Sequence, residues 1–199
     1  FQLPPLIHIA LACFAGIAFA AIWGAIVGIL KARTGAHEVI LTIMMNYIAL
    51  NTISYLLNGP MKDRNPNNVI ARTPLIADSA RMPEIFDGFR IHWGFILALL
   101  VAFLAWWVLN KTTLGFEIRT VGANPDAAKY AGINVKRTII ITMALSGMLA
   151  GMAGSLEVTG LNFRHELGFS IGYGFDAIAI ALLGKSHPLG VVLASILFA

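Results

Sequence analysis

The chain alternates between long apolar runs and short polar connections. Leu6 to Leu30 holds about 25 residues without a formal charge, enough to cross a hydrocarbon layer of ~30 Å as a helix. Comparable runs follow at about 38–57, 93–109, 138–158 and 175–199, the last broken near 184–188 by Gly184-Lys185-Ser186-His187-Pro188. This pattern predicts an all-α, polytopic helical membrane protein forming one transmembrane domain. The chain opens at Phe1 beside one apolar run and ends at Ala199 inside another. It therefore reads as the middle of a longer protein, and five spans is a minimum.

Composition agrees with the pattern. The chain is 58% hydrophobic and 12% charged, against roughly 25% charged in an ordinary soluble domain, and its mean hydropathy is +0.77. The single cysteine, Cys13, lies in an apolar run, so no disulfide framework exists. The net charge of +4 reports orientation rather than affinity for nucleic acid. Residues 31–37 carry Lys31 and Arg33 and no acid. Residues 110–137 carry Lys111, Arg119, Lys129, Lys136 and Arg137 against Glu117 and Asp126. Both connections are expected on the cytoplasmic face. In the 58–92 connection, Lys62, Arg64, Arg72, Arg81 and Arg90 nearly cancel Asp63, Asp78, Glu84 and Asp87. That stretch, with turn-forming residues at 64–68, is expected to be a solvated loop on the outer face. Lys185 fits either a cytoplasmic connection or a re-entrant break.

Small and polar residues inside the spans suggest contacts. Gly147, Gly151 and Gly154 form one stripe, and Gly24 and Gly28 another, as tightly packed membrane helices require. Thr42 and Asn46 share a helix face, with Glu38 one turn earlier at the membrane edge. Polar groups at depth face protein or a wet cavity, so these residues either hydrogen-bond a neighbouring helix or line a polar transport path. Glu157, near the outer end of its span, either faces a substrate or snorkels to the interface. Tyr173 and Phe175 stand among glycines as a hinge, and Asp176 is expected to cap a helix at Ala177–Leu183. Short broken apolar segments of this kind point to a substrate path. His8 suits an interfacial contact or a proton relay.

The most punctuated stretch is Asn124-Pro125-Asp126-Ala127-Ala128-Lys129-Tyr130-Ala131-Gly132. Asn124 suits a helix N-cap, Pro125 the first helical position and Gly132 a left-handed stop. Two helical turns do not persist alone in water, so this helix is expected to dock on something, presenting Ala127, Ala128, Tyr130 and Ala131, with Gly122 just before it. No zinc, nucleophile-elbow or phosphate-loop motif appears. No catalytic residue, metal or bound cofactor is expected in this chain.

At this point the residues carry a resemblance. Leu114 to Arg119 followed by Val121 to Ile133 resembles the cytoplasmic loop of bacterial ABC-importer permeases in the ribose and branched-chain amino acid permease superfamily. The runs Gly35 to Ala49 and Gly172 to Gly184, continued by Pro188-Leu189-Gly190, resemble its nucleoside and simple-sugar uptake branch. His37 stands where that branch leads one to expect Asn. The resemblance covers most of residues 15–199. It implies a multi-pass subunit of the bacterial inner membrane, working with a second permease, two ATP-binding subunits that hold the ATP and Mg, and an extracytoplasmic binding protein. The helix at 124–131 would be the coupling helix. The implied activity is import of a nucleoside or simple sugar by alternating access. Alternatives are a permease of the same superfamily for branched-chain amino acids, an ion-coupled secondary transporter, which would need a mid-depth charge from Glu38, Glu157 or Asp176, and a membrane scaffold without a path.

Overall fold

A computed structural model describes residues 4–63, 70–83, 92–168 and 172–198. Those residues form eight α-helices and no strand: α1 (Pro5–Thr34), α2 (Glu38–Asn58), α3 (Gly94–Lys111), α4 (Thr113–Ala123), α5 (Pro125–Tyr130), α6 (Val135–Glu157), α7 (Tyr173–Leu183) and α8 (Pro188–Phe198). Four of them, α1, α2, α3 and α6, are long and apolar enough to cross a membrane. The helices α7 and α8 have 11 residues each, about 16 Å at 1.5 Å per residue, and neither reaches across ~30 Å of hydrocarbon alone.

The packed centre is the antiparallel pair α1 and α6. Gly16, Ala20, Gly24 and Gly28 make an i, i+4 row on α1, and they meet Ser155, Gly151, Gly147, Met143 and Ile140 on α6. Carbonyls lie against glycines from both sides. A Cβ added at Gly147 would overlap Ala20 O, one at Gly24 would overlap Met143 O, and one at Gly151 would crowd both the Ala20 side chain and Gly16 O. Lipid removes the hydrophobic drive for helices to associate, so this close approach gains its energy from dispersion and backbone C–H···O contacts. Gly154 corrects the expected stripe. A Cβ there would meet nothing within 4 Å, because the seam follows the i, i+4 row to Ser155 and leaves Gly154 about 100° round the helix.

At the end where α1 begins, the connection after α2 is laced to the segment after α6. A π-helical turn, Val158–Asn162, continues α6. Thr73 N–H donates to His165 O (2.9 Å), Ile76 N–H to Phe163 O (2.9 Å), Met82 N–H to Thr159 O (2.9 Å) and Leu167 N–H to Ala71 O (3.2 Å). His165 N–H returns a bond to Thr73 Oγ1 at 3.0 Å. Arg81 pairs with Asp78 at 3.0 Å and lies over the Phe163 ring at 5.1 Å. Ser79 Oγ meets His8 Nδ1 at 2.9 Å, so His8 makes a contact with this cap. Residues 70–83 are thus docked rather than simply solvated, with Ala80 and Met82 buried. The turn expected at 64–68 lies outside the described residues, as do Glu84, Asp87 and Arg90.

The opposite end gathers the basic residues, and here the 110–137 stretch holds more helix than expected. Thr112 starts α4: its hydroxyl donates to Val108 O (2.6 Å) and accepts from Gly115 N–H (3.1 Å). A Cβ at Gly115 would overlap the Val108 carbonyl, which is how α3 turns sharply into α4. Asn124 Oδ1 accepts from Asp126 and Ala127 N–H, both at 3.0 Å, Pro125 opens α5, and Gly132 stops it with φ 82°. Asn134 then caps α6 by accepting from Arg137 N–H at 3.1 Å.

The broken segment is present as α7, the turn Gly184–His187, and α8, which packs against α3. Lys185 and Ser186 both sit in the left-handed region, at φ 52° and 53°. Gly184 is held so close to Gly190 and Val191 that a Cβ would lie 2.5 Å from Val191 N. Asp176 is not the cap of α7. The helix starts earlier, at Tyr173 after Gly172 (φ 99°), which puts Asp176 at the fourth helical position.

Candidate functional site

An open cleft of about 770 Å³ lies where α2 stands beside the α1–α6 seam. Its floor is the seam itself, through Ala20, Gly24 and Gly147. One wall is the α2 stripe Thr42, Met45, Asn46, Ala49, Thr52, Ile53 and Leu56, whose spacing of three and four residues is one helix face. Phe19 and Trp23, one turn apart, contribute from α1, and Ser146 and Ala150 from α6. Among the described residues no ionisable one lines it. At 1.5 Å per residue, Asn46 lies ~12 Å along α2 from Glu38, Ser146 ~16 Å along α6 from Val135, and Trp23 ~16 Å before Thr34 on α1. All three therefore sit near the middle of a ~30 Å layer.

The cleft brings together Thr42 and Asn46 and adds Phe19, Trp23, Thr52 and Ser146, which the sequence did not single out. The signal for the aromatic pair was an i, i+4 spacing inside a helix otherwise rich in small residues. Other residues expected on a substrate path lie elsewhere. Glu38 forms an ion pair with Lys31, which ties the start of α2 to the end of α1 at the basic end and removes Glu38 from the cleft. Glu157 accepts from Asn162 Nδ2 at 3.1 Å and lines a separate hollow with His92, Gly94 and Phe95 at the laced end. Tyr173, Phe175 and Asp176 are exposed on the first turn of α7 and do not line the cleft. His37 occupies the N-cap of α2 but makes no side-chain capping bond.

The short helix α5 divides into two faces. Tyr130 is 95% exposed, and Ala127 and Ala131 are exposed beside it. Ala128 is 0% exposed, so it anchors α5 to its own chain and does not belong to an outward face, contrary to expectation. Gly122, on the last turn of α4, is open, with nothing within 4 Å of a Cβ placed there. A cleft of about 690 Å³ separates α5 from the end of α1, bordered by Lys31, Lys129, Lys136 and Asp126. At the laced end a further cleft of about 580 Å³ is lined by His8, Ser155, Thr159 and His165. Burial lowers the His165 pKa from its ordinary 6.5. Among the described residues no cluster of metal-ligating side chains forms.

Comparison with known proteins follows the same lines. The family described as branched-chain amino acid transport system / permease component matches residues 2–199. The guanosine ABC transporter permease protein NupP of Bacillus subtilis is 43% identical over 99% of this chain and 57% of its own length. The nucleoside ABC transporter permease protein NupB of Lactococcus lactis subsp. cremoris is 38% identical over 99% of this chain and 56% of its own. The glucose ABC transporter permease protein TsgB13 of Haloferax volcanii is 34% identical over 98% and 52%. The chain thus spans a little over half the length of these relatives. No solved structure matches it. With four membrane-crossing helices and a family match along nearly its whole length, this chain is a multi-pass membrane protein belonging to the branched-chain amino acid transport system / permease component family.

Proposed function

We propose that the chain is part of the membrane-spanning permease of an ATP-driven importer, moving a nucleoside or a simple sugar by alternating access through the α1–α2–α6 cleft. The observation that carries this is the cleft: open, at mid-depth, lined by aromatic and uncharged polar side chains, with no ionisable residue among the described residues that line it. An ion-coupled carrier needs a charge at that depth to bind and release its ion. Of the acids that were candidates, Glu38 is paired at a helix end and Glu157 and Asp176 lie outside the cleft. The similarity to NupP, NupB and TsgB13, ABC transporter permeases for guanosine, nucleosides and glucose, supports the same class.

In this reading the basic end, with Lys31, Arg33, Lys111, Lys129, Lys136 and Arg137, faces the cytoplasm of a bacterial inner membrane. A separate subunit holds ATP and Mg there and pushes on α5, whose outward residues Ala127, Tyr130 and Ala131 with Gly122 make the contact. Asn124, Pro125 and Gly132 fix its ends, and buried Ala128 ties its motion to α4 and α6. A second permease completes the path, and an extracytoplasmic binding protein delivers substrate to the laced end. The test is uptake by proteoliposomes holding the full-length permease with its partner subunits. Labelled nucleoside should accumulate only with ATP inside the compartment that exposes α5, and should be indifferent to ionophores. Uptake that persists without ATP and collapses with an ion gradient would overturn the proposal.

A further inference from the structure

The polar groups on the cleft are not equivalent. Thr42 Oγ1 donates to Val39 O at 3.0 Å and Thr52 Oγ1 to Ile48 O at 2.7 Å, so both hydroxyl protons are committed to their own helix. Asn46 carboxamide, Ser146 hydroxyl and Trp23 Nε1–H make no hydrogen bond with any other group among the described residues. They stand on three different helices at similar depth. Asn46 and Ser146 are exposed on the cleft walls and Trp23 is partly so, which leaves these groups open to a ligand, and a polar group at membrane depth gains by meeting a partner there.

Resting on the transport reading above, we infer that Asn46, Ser146 and Trp23, with Phe19, form a nucleobase-reading subsite in the permease itself. The carboxamide of Asn46 presents one acceptor and a donor pair in a plane, which matches the adjacent donor and acceptor edge of a purine or pyrimidine. The pairing of Asn with a base edge is a standard one in nucleic-acid recognition. Trp23 and Phe19 provide ring faces on which a base stacks. With no lysine or arginine among the described residues that line the cleft, a phosphorylated nucleotide would have its charge left bare. The same holds for a zwitterionic amino acid. A bare sugar offers no planar donor–acceptor edge to the Asn46 carboxamide, whereas the ribose hydroxyls of a nucleoside can donate to the threonine oxygens, which still accept. The ligand class is therefore a neutral nucleoside, read at the base, with the ribose toward the self-satisfied threonines.

The experiment compares the complete wild-type transporter with Asn46→Leu, Asn46→Gln and Trp23→Leu, each in the full-length permease. Uptake of labelled guanosine, uridine and ribose is measured together with permease abundance and binding-protein-stimulated ATPase activity. Asn46→Leu is expected to lower nucleoside uptake about tenfold, the equivalent of ~1.4 kcal/mol, with permease abundance kept. Asn46→Gln, which restores the carboxamide one carbon further out, is expected to recover part of the loss, and Trp23→Leu to reduce uptake of purines more than pyrimidines. Nucleoside uptake unchanged by Asn46→Leu, or lost only in proportion to abundance, would overturn the subsite while leaving the importer reading intact. ATP-driven uptake of ribose but not nucleosides by the wild type would do the same. No ATP-driven uptake of any of the three by the wild type would overturn the importer reading, and the subsite with it.

Discussion

Two glycines seven residues apart on α6 give a sharp test of how the helices are held. At Gly147 a Cβ would overlap Ala20 O, with Ala20 C at 3.1 Å and Gly24 Cα at 3.3 Å. All three are backbone atoms of α1, so no rotamer change relieves the clash and the helices must part. Overpacking of this kind costs about 1–3 kcal/mol, against a gain of about 0.5–1 kcal/mol from replacing a mid-helix glycine by alanine. Gly147→Ala is therefore expected to destabilise by roughly 1 kcal/mol, the difference of the two mid-values. At Gly154 the added methyl meets nothing, so only the propensity gain remains and Gly154→Ala should be neutral or stabilising by up to ~1 kcal/mol. The assay is thermal unfolding of the detergent-solubilised permease, where each kcal/mol corresponds to roughly 2–4 °C. Because Gly147 is also on the cleft floor, its variant should lose uptake beyond the loss of folded protein. Equal effects of the two substitutions, or a silent Gly147→Ala, would refute the seam as the organising contact.

Two further perturbations separate local roles. Tyr130→Ala should leave unfolding unchanged, because the ring is 95% exposed, yet reduce binding-protein-stimulated ATPase activity in the assembled transporter; Ala128→Leu should instead lower stability by about 1–3 kcal/mol through overpacking at a 0% exposed site, seen as a lower unfolding temperature before any partner is added. For His165, burial lowers the folded pKa below 6.5, so the undocked state binds the proton more readily. The lacing of 71–82 onto 158–168 is complete above pH 6.5 and weakens as pH falls through the window below it, with Arg72, Arg164, Glu166 and His8 the charged or titratable neighbours. Amide exchange at Thr73, Ile76 and Met82, corrected for intrinsic rates, should speed up between pH 7.5 and 5.5; greater protection at the lower pH would contradict this.

What could be read in the sequence was what single segments declare about themselves. Charge-free runs name spans, because lipid tolerates nothing else. Asn124, Pro125 and Gly132 named the ends of α5, because capping is local chemistry. What escaped required knowledge of a partner. Helix α4 does not declare itself in the sequence, because Gly115 and Gly122 dilute its pattern; its start rests on Thr112, which reads as a cap only once the turn from α3 is known. The lacing of 70–83 uses mainly backbone groups, which leave no mark in side-chain types. Thr42 and Asn46 were found from their spacing, but their neighbours Trp23 and Ser146 sit on helices far away in sequence. The acids Glu38 and Glu157 attracted notice because charge is rare in this chain, and each turned out to be satisfied at a helix end.

The link between α1 and α2 has a mechanical consequence. It is three residues long, Gly35 to His37, with Gly35 left-handed at φ 68°, and the Lys31–Glu38 pair bridges it. The α1–α6 pair is locked carbonyl against glycine, so it moves as one strut. The wall bearing Asn46 is held to that strut by this joint at one end and by the laced connection after α2 at the other. Tilting α2 by roughly 10° about the joint would move Asn46, ~12 Å along the helix, by about 2 Å. A displacement at the end of the molecule nearest α5 would therefore be felt in the cleft, whose first lining residue on α2, Thr42, is one helix turn from Glu38.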